Sequence, residues 1–344
     1  AQRRTVWQIY QDLQKDEPMN RLVEGDVGSG NTAVATMAAL MVLAEGKQVA
    51  LMAPTELLAR QHAETIHGLL KPLGGASSVA VLVGSQSAAK KGKARAAISA
   101  GEAEFMIGTQ ALIQESIDMK NLALIIVDEQ HRFGVDQRKT LMSKAGHMPH
   151  VLSLTATPIP RSLALTLFGE LDISVLDEKP VGRLPVVTEI ISANSKAELY
   201  KTVDERLETG KQMFVVCPLI TDSEMIEANS VEKVFKQLSE VSFKHRKVGL
   251  LHGKLKPEAK QAVMQDFVDR KLDILVSTTV IEVGVDVPNA SIMLIESPER
   301  FGLAQLHQLR GRVGRDEAQG YCYLLMSDST PPSRRIRALA RLND

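Results

Sequence analysis

The sequence predicts an α/β fold of two tandem domains, each an open, mainly parallel sheet with helices on both faces. Nearly continuous apolar runs alternate with amphipathic stretches in both halves of the chain, which is typical of parallel strands buried on both faces. A segment rich in charge, proline and glycine interrupts this alternation at residues 177–184. We therefore expect domain 1 at residues 1–178, a linker at 179–185 and domain 2 at 186–344.

The first domain contains an ordered series of strand and helix patterns. Short apolar, β-branched runs predict the strands Leu22–Val23, Gln48–Met52, Ser78–Val83, Glu104–Ile107, Leu122–Val127 and Val151–Leu154. Amphipathic periodicity between these runs predicts the helices Thr32–Ala44, Leu57–Leu70 and Ala88–Ser99. In such a parallel sheet, ligands are expected at the carboxyl ends of the strands.

The second domain repeats the alternation. Its predicted strands are Val186–Ile191, Met213–Cys217, Val248–Leu251, Ile274–Ser277, Ile292–Glu296 and Tyr321–Leu325. Its predicted helices are Ala197–Glu208, Glu232–Leu238, Pro257–Val268 and Leu303–Arg310, and residues 334–342 also have a helical pattern. A site formed by two such domains would use loops from both.

The composition favours a globular protein of the cytoplasm. Hydrophobic residues make up 44% of the 344 residues and charged residues 24%, which argues against disordered and fibrous classes. No apolar run reaches the roughly 20 residues that a membrane helix needs, and no export signal is visible at the N-terminus. Cys217 and Cys322 lie far apart in strand-like runs, which argues for a reducing compartment and against a disulfide framework.

The net charge neither supports nor excludes nucleic-acid binding. The chain has 41 basic and 41 acidic residues, so a site for nucleic acid would have to be a local stripe of groups. Two basic clusters could contact phosphates, or could simply be solvated helix faces. They are Lys90, Lys91, Lys93 and Arg95 in the first half, and Arg334, Arg335, Arg337 and Arg341 near the end.

A glycine-rich loop is the strongest local motif. It follows a short apolar strand, opens a helix and reads Gly25, Asp26, Val27, Gly28, Ser29, Gly30, Asn31 and Thr32. This context favours phosphate binding by backbone N–H groups over a turn without a ligand, with the Thr32 hydroxyl placed for Mg²⁺. Asn31 stands where the motif has a lysine that meets the β- and γ-phosphates. We therefore expect weakened nucleotide binding and a larger loss of hydrolysis.

Two further motifs complete a predicted hydrolytic site. Asp128 and Glu129 end an apolar strand, where Asp128 would hold Mg²⁺ and Glu129 would orient the attacking water; the alternative is a solvated acidic strand end. Arg312 and Arg315 lie in a Gly-Arg-x-Gly-Arg sequence that could bring two guanidinium groups to a γ-phosphate, rather than only capping a helix. Because these arginines belong to domain 2, nucleotide would be bound between the domains.

The ordered motifs resemble those of superfamily 2 helicases. The resemblance covers essentially the whole chain, and it implies two RecA-like domains that use ATP and Mg²⁺. Within the superfamily it is closest to bacterial DNA helicases of fork repair, with the translocase domain of a transcription-repair coupling factor as the alternative. It is carried by Gly25–Thr32, Ala53–Leu58, Gly108–Thr109, Asp128–Gly134, Thr155–Arg161, Leu251–Gly253, Ser277–Asn289 and Gly302–Arg315.

The resemblance implies roles for further residues. Gln2 would read adenine, although it could also be merely exposed, Gly284 and Asp286 would sense the ribose and cleft closure, and Gln308 would act with the arginines. DNA-backbone contacts without base reading would fall on Pro54, Thr55, Gly108, Thr109, Thr278 and Thr279. Coupling between the ATP and DNA sites would fall on Gln130, His131, Thr155 and Thr157.

The implied function is that of a motor core acting on branched or forked DNA. The resemblance also implies a monomer in the bacterial cytosol, associated with the nucleoid, with single-stranded DNA-binding protein as a partner and no membrane contact. The family's N-terminal wedge domain and the segment after its second motor domain are not in this sequence, so we expect a fragment of a longer protein. Two alternatives remain: a non-hydrolysing nucleotide- and DNA-binding module, and, less favoured, an RNA helicase.

Overall fold

The chain separates into two compact units, Ala1–Pro180 and Val181–Asp344. The structure is a computed structural model. Each unit contains its own parallel sheet. The residues that the structure describes are 1–25, 28–71, 79–114, 117–119, 121–129, 140–145, 147–155, 171–177, 184–218, 231–278, 287, 289–314, 318–327 and 331–341.

The first unit contains a seven-stranded sheet with the strand order β3-β4-β2-β5-β6-β1-β7. Every described strand pair in it is parallel. Strands β2 and β4 are buried along their whole length, as expected for central strands of a parallel sheet. The seven strands are β1 Asn20–Gly25, β2 Gln48–Met52, β3 Val79–Leu82, β4 Phe105–Gly108, β5 Leu122–Asp128, β6 His150–Thr155 and β7 Asp172–Leu176.

The helices of the first unit begin at polar caps where the sequence provides them. The Thr55 hydroxyl accepts the N–H of Leu58 at the start of α3, and Ser87 caps α4 in the same way. Between its caps α3 buries an almost entirely apolar face against the sheet. The described helices are α1 Gln2–Leu13, α2 Asn31–Ala44, α3 Glu56–Leu70, α4 Ala88–Ala100 and α5 Ala111–Gln114.

The second unit contains a six-stranded sheet with the order β10-β11-β9-β12-β13-β8, again with parallel described pairs. Its strands are β8 Val187–Ile191, β9 Gln212–Val216, β10 Val248–Leu251, β11 Ile274–Ser277, β12 Ala290–Glu296 and β13 Tyr321–Leu325. Its helices are α6 Lys196–Glu208, α7 Pro257–Val268, α8 Leu303–Arg310 and α9 Arg334–Arg341. A further helix at residues 231–236 continues as a π-helical turn, Gln237–Ser242.

The predicted fold class is confirmed. Three described elements of the first unit lie outside the predicted pattern, namely helix α1, the short helix α5 and edge strand β7. Most residues of α1 are polar, and β7 contributes the buried Ser174. The buried Arg21 of β1 connects polar side chains of the two elements. A polar network between elements therefore contributes to the placement of α1 and β7.

That buried network ties α1 to the edge of the first sheet. The Arg21 guanidinium on β1 binds the Asp12 carboxylate on α1, with Nε at 2.7 Å and Nη2 at 2.6 Å from Oδ2. Arg21 Nη1 also donates to Ser174 Oγ on β7, and that hydroxyl donates to Gln8 Oε1 on α1. Burial alone would raise the pKa of Asp12, but hydrogen bonds from Lys15 and Arg21 outweigh it and hold the pKa below its usual range.

Asp12→Asn is expected to lower the free energy of unfolding by roughly 3 kcal/mol, because it removes the nearest counter-ion of the buried Arg21 and leaves it with the exposed Asp172 carboxylate, 3.5 Å away. Trp7, the single tryptophan of the chain, lies on α1, so its fluorescence during urea unfolding measures the effect. The exposed Asp16 provides the control Asp16→Asn. Equal loss in both variants would contradict the prediction.

The same ion pair sets an expected pH dependence of stability. The folded-state pKa of Asp12 lies below its ordinary value of 3.8. Its stabilisation is therefore complete above about pH 4 and is lost as the pH falls through the lowered pKa. Acid unfolding followed by Trp7 fluorescence should consequently require a lower pH in the parent chain than in Asp12→Asn.

Among the helices of the described residues, none is long and apolar enough to cross a membrane. Cys217 and Cys322 are both buried and not bonded to each other. In the same part of the chain, no group of three or more His, Cys, Asp or Glu side chains could hold a metal ion by itself.

Candidate functional site

The carboxyl edge of the first sheet gathers the residues that the sequence predicts for nucleotide chemistry. Gly25 ends β1, Asp128 ends β5 and Thr155 ends β6. These three strands are consecutive parallel neighbours, so their carboxyl ends meet at one edge. The structure therefore places the start of the predicted phosphate loop on the same edge as the predicted magnesium carboxylate.

The glycine-rich loop has a backbone suited to a phosphate group. It connects β1 to α2, and Gly30 is the residue that precedes the first turn of α2. Gly28 has a φ of 86° and Gly30 a φ of 99°, conformations that side chains with a Cβ rarely adopt. No side chain caps α2, so the N–H groups of its first turn remain available for an anion.

Asn31 is turned back into the loop. Its Nδ2 donates to the carbonyl of Gly25 at 2.9 Å, which joins the beginning of the loop to its end. Its Oδ1 is buried and has no partner among the described residues, and the same holds for Ser29 Oγ. The Ser29 hydroxyl can donate to a phosphate oxygen, whereas an amide carbonyl oxygen cannot. The loop thus fits a phosphate ligand, but Asn31 brings no cation to it.

Gln2 holds the loop from the outside. Its Nε2 donates to the carbonyl of Ser29 at 2.7 Å, although the two residues lie 27 positions apart. The space that a Cβ on Gly30 would need is taken by this amide, since that Cβ would lie 2.2 Å from Gln2 Nε2. Gln2 is therefore anchored at the glycine-rich loop, and its contact with adenine remains a prediction.

Gly30→Ala is expected to weaken ATP binding by at least about tenfold, or about 1.4 kcal/mol, because the added Cβ displaces Gln2 and strains the loop. Gly46→Ala is the matched control. Gly46 also has a positive φ, 66°, but a Cβ there meets nothing within 4 Å. Fluorescence titration with a labelled nucleotide measures both variants, and equal affinities would count against a role for the Gln2 contact.

The predicted acidic pair lies at the carboxyl end of β5, where Asp128 is the last strand residue and Glu129 follows it. Asp128 and Glu129 are both half-buried, and Glu129 adopts a φ of 50°, which is uncommon for a residue other than glycine. Sparsely populated backbone conformations of this kind cluster at functional sites. Glu129 thus leaves the extended conformation of β5.

The structure reveals one side chain at this site that sequence reasoning missed. His62, on α3, is 8% exposed, and its Nε2 lies 2.8 Å from Asp128 Oδ2. The only sequence indication was a histidine on the otherwise apolar face of a predicted helix. That pattern does not name the partner, which lies 66 positions away.

Two predicted DNA-contacting segments follow neighbouring strands of the same sheet. Pro54–Thr55 comes after β2, whereas Gly108 ends β4 and Thr109 follows it. Met52, the last residue of β2, pairs with Gly108 in register. The hydroxyl of Thr55 accepts the Leu58 N–H at 3.3 Å, and its own O–H can still donate. A Cβ on Gly108 would lie 2.2 Å from the Leu82 carbonyl, so close strand packing requires glycine there.

The carboxyl edge of the second sheet carries two buried polar groups. His252 follows β10 and Thr278 follows β11, and the preceding residues Leu251 and Ser277 are register partners. His252 Nδ1 and Thr278 Oγ1 have no partner among the described residues. Buried polar groups normally form hydrogen bonds. These two atoms are therefore candidates to bind a polar ligand at this edge of the sheet.

The predicted arginine segment begins at the end of α8. Gln308 is half-buried on α8, whereas Arg312, two residues beyond the helix, is 6% exposed. The preceding Arg310 is also buried, and its Nη1 donates to the Leu339 carbonyl of α9. This contact joins the arginine segment to the last described helix.

The two basic clusters lie on helices. Those of the first half belong to α4, where Lys90 and Lys93 are exposed and Lys91 and Arg95 are half-buried. Those near the end belong to α9 and are all exposed, while Ile336 of the same helix is buried. Nine of the predicted site residues lie outside the described residues: Asp26, Val27, Gln130, His131, Thr157, Thr279, Gly284, Asp286 and Arg315.

Comparison with known families assigns both units to helicases. The family of DEAD/DEAH box helicases matches residues 1–166, and the helicase conserved C-terminal domain matches residues 195–317. Yeast Dbp5 bound to RNA and ADP BeF3 has a TM-score of 0.69 at 16% identity over 97% of this chain and 85% of its own. At that identity the likeness shows the fold alone.

Several curated relatives are far more similar. The ATP-dependent DNA helicase RecG of Escherichia coli strain K12 is 50% identical over 100% of this chain and 50% of its own length. The protein of the same name from Synechocystis is 48% identical over 97% of this chain and 40% of its own length. A solved structure of RecG bound to a three-way DNA junction has a TM-score of 0.82 and 44% identity, covering 98% of this chain and 44% of that one. The chain spans about half the length of these relatives, and it belongs to the RecG family of superfamily 2 helicases.

Proposed function

We propose that this chain is the motor core of an ATP-dependent, double-stranded DNA translocase that acts on stalled forks and Holliday-type junctions in recombination and repair. One observation carries the proposal: a glycine phosphate loop and a strand-terminal Asp-Glu pair lie on one edge of a parallel sheet in a member of the RecG family. These are two of the parts that ATP hydrolysis by such motors uses. The RecG relatives are ATP-dependent DNA helicases, and one was solved on a three-way DNA junction.

The first domain would supply the nucleotide-binding groups. Backbone N–H groups of the glycine-rich loop would hold the phosphates, Gln2 would lie at the adenine, and Thr32 and Asp128 would hold Mg²⁺. Mg²⁺, when bound, neutralises charge on the phosphate oxygens. Glu129 would orient and polarise the attacking water.

The second domain would supply groups that respond to the γ-phosphate and the ribose. We assign Gln308, Arg312 and Arg315 to the γ-phosphate, where guanidinium charge stabilises the transition state. Gly284 and Asp286 would sense the ribose and the closure of the cleft. Domain 1 would comprise residues 1–178 and domain 2 residues 186–344, with residues 179–185 as the linker between them.

DNA would be held through its backbone. Hydroxyl and backbone N–H groups at the ends of parallel strands can bind phosphates without reading bases, so binding would be independent of sequence. We assign this contact to Pro54, Thr55, Gly108, Thr109, Thr278 and Thr279, and the coupling of the two sites to Gln130, His131, Thr155 and Thr157. The Thr278 hydroxyl is buried and has no partner among the described residues, which supports its assignment. The parent protein would work as a monomer at the nucleoid in the bacterial cytosol and contact single-stranded DNA-binding protein.

A specific observation favours a second candidate, a non-hydrolysing nucleotide- and DNA-binding module. Asn31 carries no charge and its amide is engaged with the Gly25 carbonyl. Hydrolysis would then be impaired while the rest of the loop still binds phosphate. The family assignment itself favours the fork-repair helicases over a transcription-repair coupling factor or an RNA helicase.

The deciding experiment is the ATPase rate of the chain with a forked DNA, with an unbranched duplex of equal length and without DNA. If the chain is a DNA motor core, we expect its ATPase rate to be higher with DNA than without it. Nucleotide that binds without any turnover, even with the fork, would establish the non-hydrolysing module. Absence of both binding and turnover would overturn both candidates.

A further inference from the structure

One contact in the first unit joins a buried helix to the predicted magnesium carboxylate. His62 lies on α3 and Asp128 ends β5, and the two side chains meet at 2.8 Å between Nε2 and Oδ2. The exposed fractions of the two side chains are 10% and 17%, so water screens the contact little. A carboxylate only accepts hydrogen bonds, so Nε2 carries the hydrogen and donates it.

His62 is the polar residue on the otherwise apolar buried face of α3. The other buried residues of α3 are Leu58, Ala59, Ile66 and Leu70, all apolar. A polar ring on such a face needs a partner, because an unsatisfied buried polar group costs free energy. Among the described residues, the partner that the ring reaches is a carboxylate predicted to serve the nucleotide.

The helix that carries His62 is held at its N-terminus. Thr55 caps its first turn, and the carboxylate of Glu56 accepts the N–H of Ser85 at 2.9 Å and also the Ser85 hydroxyl. His62 lies seven residues after Thr55, about 10 Å along the helix axis. A side chain on a helix fixed in this way can hold its partner more precisely than one on a loop.

We propose that His62 is a positioning residue for Asp128 in cation binding. The hydrogen bond holds Oδ2 and so limits the rotation of the carboxylate. Asp128 would then be held in place to serve Mg²⁺. Partners behind a metal-binding carboxylate commonly change metal affinity by about 10- to 100-fold when they are removed. This inference rests on the proposed function, since it assumes that Asp128 serves Mg²⁺ beside bound nucleotide.

Two carboxamide substitutions separate this role from a packing role. His62→Gln places an N–H near the position of the histidine Nε2, whereas His62→Asn is one methylene shorter and its amide falls short of Asp128. Glutamine and asparagine carry the same carboxamide group, so both place the same polar group on the apolar face of α3. His62→Leu adds an apolar arm that suits that face, and His67→Asn, at an exposed histidine of the same helix, is the surface control.

The measurement is the affinity of the full chain for mant-ADP as Mg²⁺ is titrated, with a parallel titration in EDTA. We expect His62→Asn and His62→Leu to raise the Mg²⁺ concentration for half-maximal effect by roughly tenfold, with unchanged affinity in EDTA. His62→Gln should restore most of the difference, and His67→Asn should match the parent chain. Trp7 fluorescence during thermal unfolding identifies any variant that does not fold. The Mg²⁺ dependence is then compared among the variants that do fold.

Three outcomes would overturn the inference. One is a Mg²⁺ dependence in His62→Asn or His62→Leu equal to that of the parent chain. Another is a defect in His62→Gln as large as that in His62→Asn, which would assign His62 to packing alone. The third is a parent chain that binds no mant-ADP under any condition, which would refute the proposed function as well, whereas the first two leave that function intact.

Discussion

Asn31→Lys is expected to raise ATP turnover by about tenfold or more, equivalent to at least about 1.4 kcal/mol of transition-state stabilisation. The amide of Asn31 now bonds the Gly25 carbonyl, and its buried Oδ1 offers an acceptor to a site proposed for an acceptor-rich ligand. A lysine would break the Gly25 contact and bring an ammonium group to the β- and γ-phosphate oxygens. The gain should appear mainly in kcat, because charge develops on these oxygens in the transition state.

Steady-state ATPase assays with forked DNA measure this effect. Asn121→Lys is the matched control, since Asn121 is an exposed asparagine next to the amino end of β5, at the opposite edge of the same sheet. That variant adds the same charge to the same domain without placing it at the loop. An Asn31→Lys rate equal to the parent rate would mean that another group already supplies the cation.

Glu129→Gln is expected to reduce turnover by about 100-fold or more while leaving nucleotide affinity nearly unchanged, because it removes a general base and not a phosphate ligand. Glutamine has the same branching as glutamate, so the backbone at φ 50° meets no new steric cost. The measurement is best made in the Asn31→Lys background, where the starting rate is larger. A labelled nucleotide titration of the same proteins gives the affinity.

Glu45→Gln provides the control for this substitution, since Glu45 is exposed beyond the C-terminal end of α2. A normal rate in Glu129→Gln would remove Glu129 from the role of base. A parallel loss of affinity and rate would instead show that Glu129 serves nucleotide binding. Together, Asn31→Lys and Glu129→Gln distinguish two contributions to turnover. The first tests a cation that binds the phosphates, and the second tests a general base that activates water.

The sequence by itself determined the local elements wherever one face of the chain is buried. The predicted strand Gln48–Met52 and the helices Pro257–Val268 and Leu303–Arg310 have the observed bounds. Apolar periodicity reports burial, and burial in a two-faced sheet leaves nearly continuous apolar runs. Loop chemistry was equally local, since Gly28 and Gly30 take the positive φ values that a phosphate loop requires.

Only the tertiary structure decided which polar groups meet. Helix α1 and strand β7 are joined through Arg21, which binds Asp12 on one side and Ser174 on the other. Gln2 reaches Ser29 across 27 positions, and His62 reaches Asp128 across 66. Hydrogen-bond partners of buried polar groups are set by strand order and helix placement, which bring together residues that are remote in the chain. No local period encodes such pairs, so the contacts that support the predicted phosphate loop and the predicted magnesium carboxylate became visible only in three dimensions.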